Sequence, residues 1–261
     1  MSPYEPYTKI SGQSDGRALL LLNSLGTTTK MWDPQLPLLE SFYKVIQIDT
    51  RGHGQSPTPP APYSFDDLVS DAFGVLDRNG IKTTTVMGCS LGSMTALGMG
   101  LKAPDRIDRI ICTAARADSP PPFRQSWFDR MAIIEDKGVA GLWQGSLGNW
   151  LTPAFRDANP AKIAEMEAEF LKTTTEGYKG CAMALKDLDY FKDLGQLDVP
   201  VLFIAGSEDK GAAPDTMREM AKAAKHGEFT LIPDAGHIIN VNKPESFSLA
   251  IADVLGMTET P

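Results

Sequence analysis

Six apolar runs of strand length punctuate the chain: "ALLLLNS" (18–24), "YKVIQID" (43–49), "TTVMG" (84–88), "RIICTAA" (109–115), "VPVLFIAG" (199–206) and "EFTLIPD" (228–234). Segments of helical periodicity lie between them, the alternation that a parallel sheet with crossover helices requires. The fold class is therefore α/β, a mostly parallel central sheet with helices on both faces. Each run ends in a small or polar residue, and open parallel sheets bind ligands outside the carboxyl ends of their strands.

Ser64 followed by Asp67 has the form of a capping box and opens a helix through Leu68, Ala72, Val75 and Leu76. Ser93 to Ala103 reads as a buried helix stopped by Pro104, and Pro214 to Lys225 and Pro244 to Leu255 read as two more, each with proline in its first turn. Residues 117–197 differ, with helical periodicity, several breaks and no strand signal. They are expected to form a helical cap inserted into a core domain made of residues 1–116 and 198–261, with "SPPPF" (119–123) and "DVPV" (198–201) at its two ends.

The stretch Gly88-Cys89-Ser90-Leu91-Gly92 stands between a predicted strand and a predicted helix. A nucleophile on a sharp strand-to-helix turn needs glycine two residues before and two after, because a side chain at either place would strike the tight backbone. Around Ser90 those places hold Gly88 and Gly92; around Cys89 they would hold Met87 and Leu91. Ser90 is the expected nucleophile. A serine hydroxyl needs a base, and the base needs a third group to fix its tautomer. Of the three histidines, His53 lies in a glycine-rich turn and His226 at an expected exposed helix end. His237, in "PDAGHIIN" after the last strand, can reach the sheet's carboxyl edge. The loop "IAGSEDKGAAP" after the preceding strand supplies the acid, Asp209, with Glu208 as the alternative. Two backbone N–H groups are needed for the developing oxyanion. Leu91, next after the nucleophile, supplies one, and Leu25 in "NSLGTTTKMW" the other.

Composition narrows the partners. With 33 acidic against 25 basic residues the net charge is −8, and no basic run could neutralise a phosphate backbone, so nucleic acid is excluded. The first residues, "MSPYEPYTKISGQSDG", lack the apolar core of a secretory signal, and Ala18 to Leu22 is too short to cross a bilayer. Cys89, Cys112 and Cys181 form no CxxC pair and suggest reduced thiols of a cytoplasmic protein with no metal site.

Together these stretches resemble the α/β-hydrolase superfamily and, within it, the 3-oxoadipate enol-lactone hydrolases of aromatic catabolism. The resemblance is carried by "NSLGTTTKMWDPQ", "DTRGHGQS", "PYSFDDL", "TAAR", "EGY", "VLFIAGSEDKGAAP" and "DAGHIINV", spread from about Leu20 to Leu255. It implies catalysis by Ser90, Asp209 and His237, and cofactor-free opening of a five-membered enol-lactone that carries an acidic side chain. In "GSLGNWLTPAF", Trp150 matches an aromatic of the cap, whereas Asn149 stands where that family leads one to expect a basic residue. Arg116, Arg124 and Arg130 are then the candidate cationic partners of a substrate carboxylate. The chain before Ala18 leaves little room for the usual first hairpin, and Ser93 replaces a common third glycine after the turn. The same constellation also serves other esters or carbon–carbon bond hydrolysis. A ligand-sensing protein that keeps the fold is a further alternative.

Overall fold

All six apolar runs form strands, and a seventh precedes them; the computed structural model describes residues 4–257. The strands are β1 (Thr8–Gly12), β2 (Arg17–Leu22), β3 (Tyr43–Ile48), β4 (Thr84–Cys89), β5 (Ile107–Thr113), β6 (Val201–Gly206) and β7 (Gly227–Ile232). They form one sheet in the order β1-β3-β2-β4-β5-β6-β7. Only β1 is antiparallel, with Thr8 opposite Ile48 and Gly12 opposite Lys44. β1 lies beside β3 and not beside β2, so among the described residues the first two strands form no hairpin, in keeping with the little room expected before Ala18. Gly12, at φ 81°, and a turn closed by Gly16 N–H on the Gln13 carbonyl (3.2 Å) reverse the chain within a few residues. As a half-exposed edge strand β1 needs no apolar run, which is why it left no signal.

The interior strands are mostly apolar because both faces are covered; Leu19, Leu20 and Leu21 of β2 are wholly buried. The helices before the elbow are α1 (Leu36–Leu39) and α2 (Phe65–Arg78). α2 starts at a complete capping box, with Ser64 Oγ accepting from Asp67 N–H (3.2 Å) and Asp67 Oδ2 from Ser64 N–H (2.9 Å). α3 (Leu91–Lys102) begins two residues earlier than its sequence suggested, since the turn at Ser90 leads straight into it. It packs on β4 and β5.

Between β5 and β6 the chain runs through α4 (Pro121–Lys137), α5 (Trp143–Trp150), α6 (Pro153–Ala158), α7 (Pro160–Phe170) and α8 (Thr175–Lys186). The two ends of this helical segment meet: Asp118 and Asp189 form an antiparallel bridge, and the Ala117 carbonyl accepts from the N–H groups of Tyr190 (2.7 Å) and Phe191 (2.8 Å). Trp143, Trp150 and Phe170 meet at tilted or edge-on angles with centroids 5.4 to 6.0 Å apart, and Phe170 and Trp150 lie against Gly26 in the loop after β2. After β6 come α9 (Pro214–Ala223), which packs on β6 and β7, then α10 (Ile239–Asn242) and α11 (Pro244–Leu255). Among the described residues no helix is long and apolar enough to cross a membrane.

The turn after β3 holds His53, fully buried, with Nδ1 3.0 Å from the Arg51 carbonyl and Nε2 without a partner. Burial depresses its pKa from 6.5 to about 4, only partly offset by the Arg51 carbonyl. The folded protein therefore resists a proton that the unfolded chain accepts. Stability from this residue is complete above pH 6.5 and declines as pH falls towards 4, by roughly 3 kcal/mol. Urea unfolding at pH 7 and pH 4 should show that much more loss for the wild type than for His53→Asn; equal losses would contradict the assignment.

Candidate active site

In this strand order β2 is flanked by β3 on one side and β4 on the other, so the chain leaves β2 in one direction and returns beyond it in the other. Such a switch point opens a crevice at the carboxyl ends of β2 and β4. The loop carrying Leu25 and the turn carrying Ser90 both start there.

Ser90 has φ 53° and ψ −114°, a strained backbone that the surroundings enforce. Its N–H is held by the Thr113 carbonyl at 2.9 Å. The two glycines are required by close approach: a Cβ on Gly88 would lie 2.4 Å from the Gly92 carbonyl carbon, and one on Gly92 would lie 2.2 Å from the Leu22 carbonyl oxygen. Gly92→Ala is expected to cost more than about 2 kcal/mol in urea unfolding, since the obstructing atom is backbone and cannot swing away. Ser93, in place of a third glycine, is wholly buried and exchanges two 2.8 Å hydrogen bonds with Thr113, its Oγ accepting from the N–H and donating to the carbonyl. It ties the start of α3 to β5.

Beyond β6, Asp209 is buried and its Oδ1 accepts from the N–H groups of Gly211 (2.8 Å) and Ala212 (3.0 Å). Its Oδ2 lies 2.8 Å from Nδ1 of His237, itself only 7% exposed. Burial raises the Asp209 pKa, but the His237 charge and hydrogen bond, with the two backbone donors, outweigh it and bring the carboxyl below its ordinary value. A carboxylate so placed can hold the imidazole with Nδ1 protonated and Nε2 free to accept a proton. Glu208 is exposed and takes no part in this pairing.

Ser90, His237 and Leu25 line one cavity of about 350 Å³, between the sheet's carboxyl edge and the helical segment. Leu91 is the first residue of α3, so its N–H has no acceptor within the helix. Leu25 sits in a tight turn closed by Thr27 N–H on the Ser24 carbonyl (3.1 Å), with Gly26 at φ 78°. Cys89 does not line the cavity: it is fully buried, and desolvation pushes its thiol up to about 12, despite the opposing Thr113 hydrogen bond. A thiol held protonated is a poor nucleophile.

The opposite wall holds Trp150 and Asn149 from α5, Tyr178 from α8 and a face of α4 made by Phe123, Trp127 and Arg130. Arg116 lines the cavity as well; it pairs with Asp118 (3.1 Å) and lies over the Phe123 ring (5.3 Å), and its Nε has no partner. Arg130 lies over Trp127 (5.2 Å) and donates to the Tyr178 hydroxyl (3.1 Å). Among the described residues it has no carboxylate partner. Arg124 is exposed and outside the cavity, which removes it from the three arginines considered. His53 and His226 are also outside. Trp127 and Tyr178 are wall residues that sequence reasoning missed. The spacing Phe123, Trp127, Arg130, at i, i+4 and i+7, was the available signal. Among the described residues no group of acidic, cysteine or histidine side chains is arranged to hold a metal.

The alpha/beta hydrolase fold family matches residues 17–244. The chain belongs to that family. It is 32% identical to 3-oxoadipate enol-lactonase 2 of Acinetobacter baylyi over 94% of its own length and 90% of the relative's. The crystal structure of the enol-lactonase from Burkholderia xenovorans superposes with a TM-score of 0.94 at 30% identity, covering 98% of each chain. At 27% identity, over 92% of this chain and 90% of the relative, it also resembles the (E)-2-((N-methylformamido)methylene)succinate hydrolase of Acinetobacter baylyi. The chain is thus an enzyme of the hydrolase class.

Proposed function

We propose that this enzyme hydrolyses a lactone or ester through Ser90, His237 and Asp209, and that its substrate is an enol-lactone bearing one free carboxylate, of the 3-oxoadipate enol-lactone kind. The observation that carries the substrate is Arg130, a cation in the wall of the Ser90 cavity without a carboxylate of its own. Arg116 is already paired with Asp118, so the wall offers one unneutralised positive charge, matching one free carboxylate. The names of two similar proteins, both enol-lactonases, agree with this choice. Trp150 forms the apolar floor for the ring. In this reading residues 117–197 act as a cap whose side chains select the substrate, over a core of residues 1–116 and 198–261.

The chemistry follows from the groups. His237 Nε2 takes the Ser90 proton as Oγ adds to the lactone carbonyl, and the Leu25 and Leu91 N–H groups receive the oxyanion, each donor contributing about 3 kcal/mol. Collapse breaks the ring C–O bond and expels an enolate, which the imidazolium protonates. The enol becomes a ketone, so the ring does not reclose. Water, deprotonated by His237, then adds to the acyl-enzyme and releases Ser90. No cofactor takes part in any step.

The test compares an enol-lactone carrying a free carboxylate with its methyl ester. The acid should be turned over with kcat/KM at least about 100-fold higher, the range for a buried charge-assisted contact. Equal values for the two would refute the substrate while leaving an ester hydrolase; no turnover of either, nor of activated short esters, would refute the activity.

A further inference from the structure

The backbone on both sides of His237 is held by groups outside the catalytic trio. Gly236 N–H donates to Asn242 Oδ1 (2.8 Å), and Ile238 N–H donates to the Trp150 carbonyl (3.0 Å). The same Asn242 Oδ1 also accepts from Thr152 N–H (3.3 Å), while Asn242 Nδ2 reaches Thr152 Oγ1 (3.4 Å). Asn242 is 4% exposed. One oxygen thus serves buried donors on two chain segments: the loop that carries the base, and the end of the helix that presents Trp150 to the cavity. Contact there is close, since a Cβ on Gly236 would lie 2.7 Å from the Trp150 carbonyl oxygen. On the other side α10 is fixed to the core through Asn240, whose Nδ2 donates to the Met31 carbonyl (2.7 Å) and whose carbonyl accepts from Gln35 Nε2 (3.0 Å).

We propose that Asn242 is a positioning residue for His237, and that with the Trp150 carbonyl it ties the placement of the base to the helical wall that receives substrate. This rests on the reading of His237 as the base. Asn242 touches neither substrate nor a reacting atom; it acts through the peptide on either side of the imidazole. Removing its oxygen leaves the Gly236 and Thr152 N–H groups buried and unsatisfied, and they regain partners only if the two segments move apart. His237 then shifts relative to Ser90, and a misplacement near 1 Å costs about 100-fold in rate. Because the cavity wall and the base share this joint, a substrate that seats poorly against Trp150 is turned over slowly as well as bound weakly.

The test uses Asn242→Leu, which keeps the volume without the acceptor, and Asn242→Asp, which keeps an oxygen for both N–H groups. With p-nitrophenyl acetate, whose small acyl group barely engages the wall, the Leu variant should lose about 100-fold in kcat with KM within about threefold. The rate at which a fluorophosphonate labels Ser90 should fall in the same proportion. The Asp variant should recover to within about tenfold of wild type. If the Leu variant does not fold, Asn242→Ala removes the same oxygen and carries the same expectation. A folded Leu or Ala variant with wild-type kcat and labelling rate, or an Asp variant as slow as Leu, would overturn the proposal. A wild type that neither hydrolyses the ester nor takes the label would instead refute the reading of Ser90 and His237.

Discussion

Ser90→Ala should lower kcat/KM for the enol-lactone by about ten-thousand-fold or more, the loss expected when the nucleophile of a concerted trio is removed. The fold should survive, because the hydrogen bonds that hold the turn come from the Ser90 backbone and not from its hydroxyl. Melting temperature is the control. Cys89→Ala separates the neighbours: its thiol is fully buried and outside the cavity, so the variant should keep turnover within a few-fold while losing stability from the deleted sulfur. An active Ser90→Ala together with an inactive Cys89→Ala would reverse the assignment.

Arg130→Gln is expected to have the next largest effect, a fall of about 100-fold in kcat/KM on the carboxylate-bearing lactone, with most of it in KM. The methyl ester should fall far less, so that the preference for the acid collapses towards one. Arg116→Gln should cost less on the acid, because its charge is shared with Asp118 and the substrate carboxylate would compete with that pair. Steady-state kinetics of both variants on both substrates check this. Should Arg116→Gln abolish the preference and Arg130→Gln leave it intact, the carboxylate is held by Arg116 and not by Arg130.

Both effects bear on what could be read from the chain before its fold was seen. The glycine frame around Ser90 was legible because the constraint is steric and local: backbone atoms of Gly92 and Leu22 occupy the space a Cβ would need at fixed offsets. Asp209 and His237 were legible as loop residues after successive strands, and the structure puts them 2.8 Å apart. The arginines were not legible to the same degree. Arg124 and Arg130 sit on one helix, and only the face that α4 turns to the cavity separates them; Arg116 loses its freedom to a neighbour two residues on. Strand β1 was hidden because an edge needs little apolar content, and Asn242 because its role depends on Thr152, far away in sequence.

A single labelling experiment addresses the central claim most directly. The wild type is treated with a fluorophosphonate, the loss of lactone turnover is followed in time, and the modified peptide is mapped by mass spectrometry. Serine-mediated catalysis predicts one adduct per chain, on Ser90, formed in step with the loss of activity and absent from Ser90→Ala. Full turnover by a chain labelled at Ser90, or inactivation with the adduct elsewhere, would contradict it.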